Sequence, residues 1–146
     1  MKLKFWDDFA CGRAVYLRCI EQAAKPRGLS RTEMDILLFL ANQPQFDTAT
    51  DIVEKRRLSK AYVSLSLRSL RERGYLTTAY LQGNHRTVRL RLTEMAAPAV
   101  QAGQAAQRRF WARLTRDFTP KELRQLQSML ARMAQNLTGK DEEEAT

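Results

Sequence analysis

Residues 58–76 read LSKAYVSLSLRSLRERGYL. Val63, Leu67 and Leu70 stand at i, i+4 and i+7, one face of a helix. Ser59 precedes that face as a good N-cap. Gly74 stops the helix, and Arg71 and Arg73 lie in its last turn, where positive charge suits the helix dipole. The period then drops from 3.6 residues to two. YLTTAYL and RTVRLRL are strand-like, and Val88, Leu90 and Leu92 alternate with Arg89 and Arg91. QGN between them reads as a hairpin tip. A basic helix therefore runs straight into an equally basic hairpin.

Helical patterns flank this unit on both sides. A first helix is expected over about 4–24, ended by KPRG, in which Pro26 and Gly28 both break helices. A second starts at SRTE, where Ser30 and Glu33 have capping-box spacing, and continues through the apolar MDILLFLA as a central helix. A short third helix, TATDIVEKR, has Thr48 and Asp51 in the same spacing. About three residues then lead to Ser59. Beyond the hairpin, Thr93 is expected to cap a fifth helix, with Pro98 near its first turn. TPKE opens a sixth, with Thr119 as N-cap, Pro120 at N1 and Glu122 at N3. Leu123, Leu126, Met129, Leu130, Met133 and Leu137 form an apolar stripe along it. The expected order is α-α-α-α-β-β-α-α, mainly helical with one small β-hairpin. Residues 139–146 read as an acidic, disordered tail.

The chain has 146 residues and a net charge of +9, enough length for one domain with a core. The charge is concentrated. Residues 55–91 hold Lys55, Arg56, Arg57, Lys60, Arg68, Arg71, Arg73, Arg86, Arg89 and Arg91, and their only acid is Glu72. This stretch carries the whole excess, which favours a polyanion and nucleic acid first; a solvated basic surface is the competing reading. No apolar run approaches the ~18 residues of a membrane span, so no membrane partner is expected. The start shows no signal-peptide pattern, and a cytoplasmic location is expected.

Two cysteines and one histidine cannot furnish a Cys/His zinc site or a supported Ser-His-Asp triad. Neither metal nor cofactor is expected, and no catalytic residues are assigned; the chain does not read as an enzyme. Cys11 and Cys19 lie roughly two turns apart on one helix, a rise of ~12 Å, too far to bridge each other.

Third helix, tight turn, fourth helix and hairpin together make a winged helix-turn-helix. A helix end fits the ~12 Å major groove of B-DNA. Its open N–H groups and positive dipole face phosphates. Ser59, Lys60, Tyr62, Ser64 and Arg68 are candidate DNA contacts on the fourth helix. Asn84, His85 and Arg86 are candidates at the hairpin tip, reaching a minor groove or backbone beside it. Thr48 and Thr50 are candidates for fixing phosphates. Arg68 has an alternative use in an i, i+4 pair with Glu72. Arg71 and Arg73 read as helix-end charges. Arg89 and Arg91 either face phosphates or solvate the outer face of the hairpin.

Over about residues 5–138 the chain resembles the MarR family of transcriptional regulators. LSRTEMDILLFLA, LSKAYVSLSLRSLRERGYL and NHRTVRLRLT carry the resemblance. The last is similar to the family's wing, in which Asp-x-Arg precedes a strand ending in Leu-Thr. Arg86 holds the arginine position, and Asn84 stands where the family usually has an aspartate that orients it. Leu65 stands where many relatives have a basic or polar residue; it can meet a thymine methyl or pack.

The resemblance implies a single domain over 1–138. Its DNA-binding lobe would cover about 30–93, and dimerisation helices about 4–24 and 94–138. It implies a homodimer on a pseudo-palindromic double-stranded operator, most simply a repressor released by a small aromatic effector. Trp6, Phe9, Tyr16, Phe110 and Trp111 are the candidates for an effector cleft, with core or interface packing as the alternative. Cys11 is a candidate redox sensor, as in the family's peroxide-sensing branch. A winged-helix module that docks another protein is a further alternative.

Overall fold

The computed structural model describes residues 2–138; the acidic segment 139–146 lies outside the described residues. Six helices and one hairpin follow the expected order: α1 (Lys2–Ala24), α2 (Arg31–Asn42), α3 (Ala49–Arg56), α4 (Lys60–Glu72), β1 (Leu76–Leu81), β2 (Asn84–Leu92), α5 (Ala97–Leu114) and α6 (Pro120–Thr138). The chain divides into two compact units, one running to Phe110 and one starting at Trp111. No described helix is long and apolar enough to cross a membrane.

In the first unit α2 is the axis of the core. Met34 and the run Ile36–Leu40 are all buried. Around them lie Ile20 and Ala24 of α1, Ile52 of α3, Val63 and Leu70 of α4, Leu76 and Leu90 of the hairpin, and Ala99 and Val100 of α5. An element apolar on nearly every side is stable only when surrounded in this way. Gly103 lets α5 come close. A Cβ there would stand 2.8 Å from Leu38 Cδ2 and 2.9 Å from Met34 Sδ.

The caps follow the chemistry of the sequence. Ser30 Oγ accepts from Glu33 N–H at 3.0 Å, and Ser30 N–H donates to the Glu33 carboxylate at 2.8 Å. Thr48 and Asp51 form the same box on α3. Gly74, at φ +82°, ends α4; Tyr75 N–H then reaches back to Leu70 O at 2.9 Å, closing the last turn.

One cap differs from expectation. A 3₁₀ turn, Glu94–Ala96, precedes α5, and Thr93 makes no side-chain cap bond. Its hydroxyl donates instead to Gly74 O at 2.5 Å. The extended backbone at Thr93 turns the side chain back across the hairpin base, so it fastens the end of β2 to the end of α4. Pro98 sits in the first turn of α5, where its missing N–H costs nothing.

In the second unit Thr119 and Glu122 form the expected box on α6, with Thr119 N–H to Glu122 at 2.8 Å. These two hydrogen bonds from Thr119, backbone and then hydroxyl, hold the Glu122 carboxyl below its ordinary pKa. Leu126, Met129, Leu130 and Met133 line one side of α6 and are exposed.

Candidate nucleic-acid interface

α4 has two unlike sides. Val63, Ser66 and Leu70 are buried against the core, with Leu67 half-buried at its edge. The opposite side carries Lys60, Ala61, Tyr62, Ser64, Leu65 and Arg68, all exposed. Ser59 caps the outward-facing end, its Oγ accepting from Tyr62 N–H at 3.2 Å. The α3–α4 turn is closed by Arg57 in the left-handed conformation, at φ 54°. This position was not legible in the sequence, because no glycine or asparagine marks it.

Thr50, Lys60, Ser64 and Arg68, four of the expected contact residues, rim one groove of about 490 Å³ between α3, α4 and the hairpin. Val53, Leu67 and Val88 contribute to its apolar floor. Thr48 is placed otherwise. Its hydroxyl donates to Asp51 at 2.7 Å and accepts from Asp51 N–H at 3.1 Å, so it is already engaged in capping α3.

β1 and β2 are antiparallel, pairing Leu76 with Leu92 and Tyr80 with Val88, with an irregularity between Tyr80 and Leu81. The tip is ordered by Asn84. Its Oδ1 accepts from Arg86 N–H at 3.1 Å and from Thr87 N–H at 3.2 Å, and its Nδ2 donates to Thr87 Oγ1 at 3.3 Å. This Asx turn organises the tip through backbone bonds and leaves the Arg86 guanidinium unengaged. His85 lies against Tyr80, ring centroids 5.8 Å apart.

The basic block separates into two sets. Arg56 holds Asp35 with two bonds, at 3.0 and 2.5 Å. Burial opposes its charge, but the Asp35 hydrogen bond and field outweigh that and raise its pKa. Arg73 donates to Gly28 O and Arg27 O at 3.0 and 3.1 Å and stands 3.6 Å from Glu33, tying the end of α4 to the start of α2. Its role is thus long-range and not only that of a helix-end charge. Lys55 lies over the Phe46 ring. Arg89 and Arg91 both face Asp47, at 2.7 and 3.7 Å; the Arg89 side chain is largely covered there, while that of Arg91 stays 56% exposed. Among the described residues of the 55–91 block, Arg57, Lys60, Arg68, Arg71 and Arg86 have neither an ion-pair nor a ring partner, and the Arg68–Glu72 pair is not formed. These are the charges left for a polyanion.

Asp47 was not singled out in the sequence. Its main-chain O also accepts from Leu90 N–H at 2.8 Å, so the α2–α3 loop adds to the edge of β2. The available signal was an acid just before a helix cap, with two arginines alternating on a later strand.

The aromatic candidates fall into separate groups. Trp6 and Phe9 each meet Phe5, with centroids 5.3 and 4.8 Å apart. Tyr16 meets Phe110 edge-on at 5.2 Å, and its hydroxyl accepts from Gln107 at 3.0 Å. Trp111 is exposed and belongs to the second unit. Cys11 is exposed and Cys19 partly so.

Known proteins share this arrangement. The MarR family model matches residues 27–86. A MarR transcriptional regulator from Methanosarcina mazei Go1 superposes with a TM-score of 0.77 at 15% identity, over 95% of this chain and 92% of that one. A MarR family protein from Listeria monocytogenes, complexed with a 26mer DNA, gives 0.72 at 18% identity, over 91% and 87%. A mutant form of Lactococcus lactis ZitR gives 0.55 at 26% identity, over 75% of each chain. Residues 27–86 are thus similar in sequence to the MarR family, and over nearly its whole length the chain shares the fold of solved MarR-type winged-helix proteins.

Proposed function

We propose that the chain is a homodimeric, sequence-specific regulator of transcription acting in the cytoplasm. It binds a pseudo-palindromic double-stranded operator and represses by occluding a promoter. The observation that carries this reading is the division of the basic block. Five cations without partners remain on the outward side of the α3–α4 unit and the hairpin tip, beside a capped helix end suited to a major groove. In this reading Ser59, Lys60, Tyr62, Ser64 and Arg68 meet the groove. Asn84 and His85 shape the tip, Arg86 reaches the backbone or minor groove beside it, and Thr50 with the α3 end meets phosphate. The Listeria protein of the same fold, solved with DNA, supports it.

The dimer is supported by the exposed stripe on α6, Leu126, Met129, Leu130 and Met133. Two-fold symmetry then sets two recognition helices about one DNA turn apart. Release by a small aromatic effector is the remaining part. Such a ligand acts only if it binds better to a dimer whose helices are wrongly spaced. The Tyr16–Phe110 contact, joined to Gln107, is an aromatic junction at which it could intervene.

Selection of duplexes from a random pool, followed by salt titration of the selected site, tests the proposal. The expected site has two inverted halves. If these five cations of each chain neutralise one phosphate apiece, the dimer's log–log salt slope is about −9, at roughly −0.9 per phosphate. A flat salt response, or no enrichment of any duplex, would sink the reading in favour of a protein-docking module.

A further inference from the structure

Leu65 is the anomaly of the interface. It lies at ~200° around the helix from Val63, at ~100° per residue, almost opposite the buried side. It is 64% exposed, so it contributes little to the core. Ala61 is one turn before it on the same line, and Tyr62, 67% exposed, is three residues before it. An exposed leucine alone is ordinary. This one has Lys60, Ser64 and Arg68 along one side of it, at ~60–140° from Val63, and Tyr62 and Ser69 along the other, at ~240–260°, while the neighbouring turn supplies Arg57. An apolar side chain on the outermost line of the helix, with cations along one side of it, suits a major groove, where phosphates stand at the rim and base edges on the floor.

The direction of the side chain sharpens this. Side chains on a helix lean toward its N-terminus, so Leu65 covers the turn of Ala61 and Tyr62, the end that enters the groove. Leucine neither donates nor accepts a hydrogen bond. Among major-groove features the thymine 5-methyl is the one apolar group it can cover; the other edges present nitrogen and oxygen atoms that it would strip of water without replacement.

We propose that Leu65, backed by Ala61, reads a thymine through its 5-methyl group at one position in each half-site. This rests on the DNA-binding reading above and adds a specificity determinant to it. Burial of one methyl-sized group corresponds to about a fourfold change in affinity per half-site.

The test uses the full chain and the duplex selected from the pool. Each thymine is replaced singly by deoxyuridine, which removes the methyl and keeps the pairing, and both the wild type and Leu65→Ser are titrated. At one thymine per half-site the replacement should weaken the wild type by about fourfold and leave Leu65→Ser unchanged. Leu65→Ser should melt with the wild type, since the side chain is exposed. Equal effects on both proteins at every thymine, or no effect anywhere, would overturn the inference while the DNA reading stands. Failure to bind any duplex would overturn both.

Discussion

Asp47→Ala should loosen the hairpin from the body of the lobe. The Asp47 side chain is 14% exposed and that of Arg89 27%, and their closest atoms are 2.7 Å apart. Arg91 shares the carboxylate at 3.7 Å. Arg89 Nε is buried without a hydrogen-bond partner, so removal of Asp47 leaves this guanidinium still less well satisfied. Exposed pairs contribute about 0–1 kcal/mol, whereas breaking a fully buried one costs about 3–5 kcal/mol. This pair stands between them, and about 2 kcal/mol is expected. For a chain near this length that is a fall in Tm of roughly 4–8 °C at fixed protein concentration. Asp47→Ala, Arg89→Met and the double variant should be unfolded in denaturant and compared as a cycle. The expected coupling is about 1 kcal/mol or more, and 1 M salt should reduce it only in part, because the pair is shielded from solvent. Additive single effects, or a cost below about 0.5 kcal/mol for Asp47→Ala, would refute the idea that Asp47 anchors the wing.

Arg86→Ala should weaken binding by a similar factor on every duplex and make the salt slope shallower by about 0.9 per chain. Tyr62→Ala and Ser64→Ala should instead change which sequences are enriched; identical losses for all three on all sequences would contradict this division. Gly103→Ala should destabilise by about 1 kcal/mol net. Crowding of Leu38 and Met34 costs roughly 1–3 kcal/mol and outweighs the ~1 kcal/mol gained in helix propensity, and a rise in the denaturation midpoint would disprove it. The Glu122 carboxyl titrates below its ordinary value in the folded chain. Its capping of α6 is therefore complete above the ordinary carboxylate pKa and lost as pH falls through the lowered folded value. A carboxyl NMR titration of Glu122 should show that depression, and Thr119→Ala, which removes the hydroxyl bond but keeps the larger backbone one, should reduce it without abolishing it.

Local chemistry made the elements legible. Ser30, Thr48, Ser59 and Thr119 are side-chain caps whose partners lie three residues on, so their bonds are written in sequence spacing. The hairpin was readable because a two-residue period is equally local. Long-range partners were not. Arg89 and Arg91 looked available because their counter-ion, Asp47, lies more than forty residues earlier in the chain and approaches only when the α2–α3 loop reaches the edge of β2. Arg73 similarly finds Gly28 O and Arg27 O across the lobe. Thr93 misled for the same reason: threonine after a strand suits a cap, but the return of β2 to the end of α4 offered its hydroxyl the Gly74 carbonyl. At the site, residue types identified the outward side of α4, while the sorting of cations into engaged and free needed three-dimensional neighbours.

The Asn84 turn has a consequence for how this wing responds to its surroundings. A tip held by a carboxylate–guanidinium pair would lose shape and charge together as salt or acid increased. Here the bonds from Asn84 are neutral and local, so neither screening nor protonation removes them. Shape and charge are decoupled. In the DNA-binding reading proposed above, raising ionic strength would weaken the attraction of Arg86 for phosphate while the loop that presents it keeps its form. The tip then keeps one shape under an adjustable field, whereas the base of the hairpin, held by the Asp47 ion pairs, is partly exposed to screening.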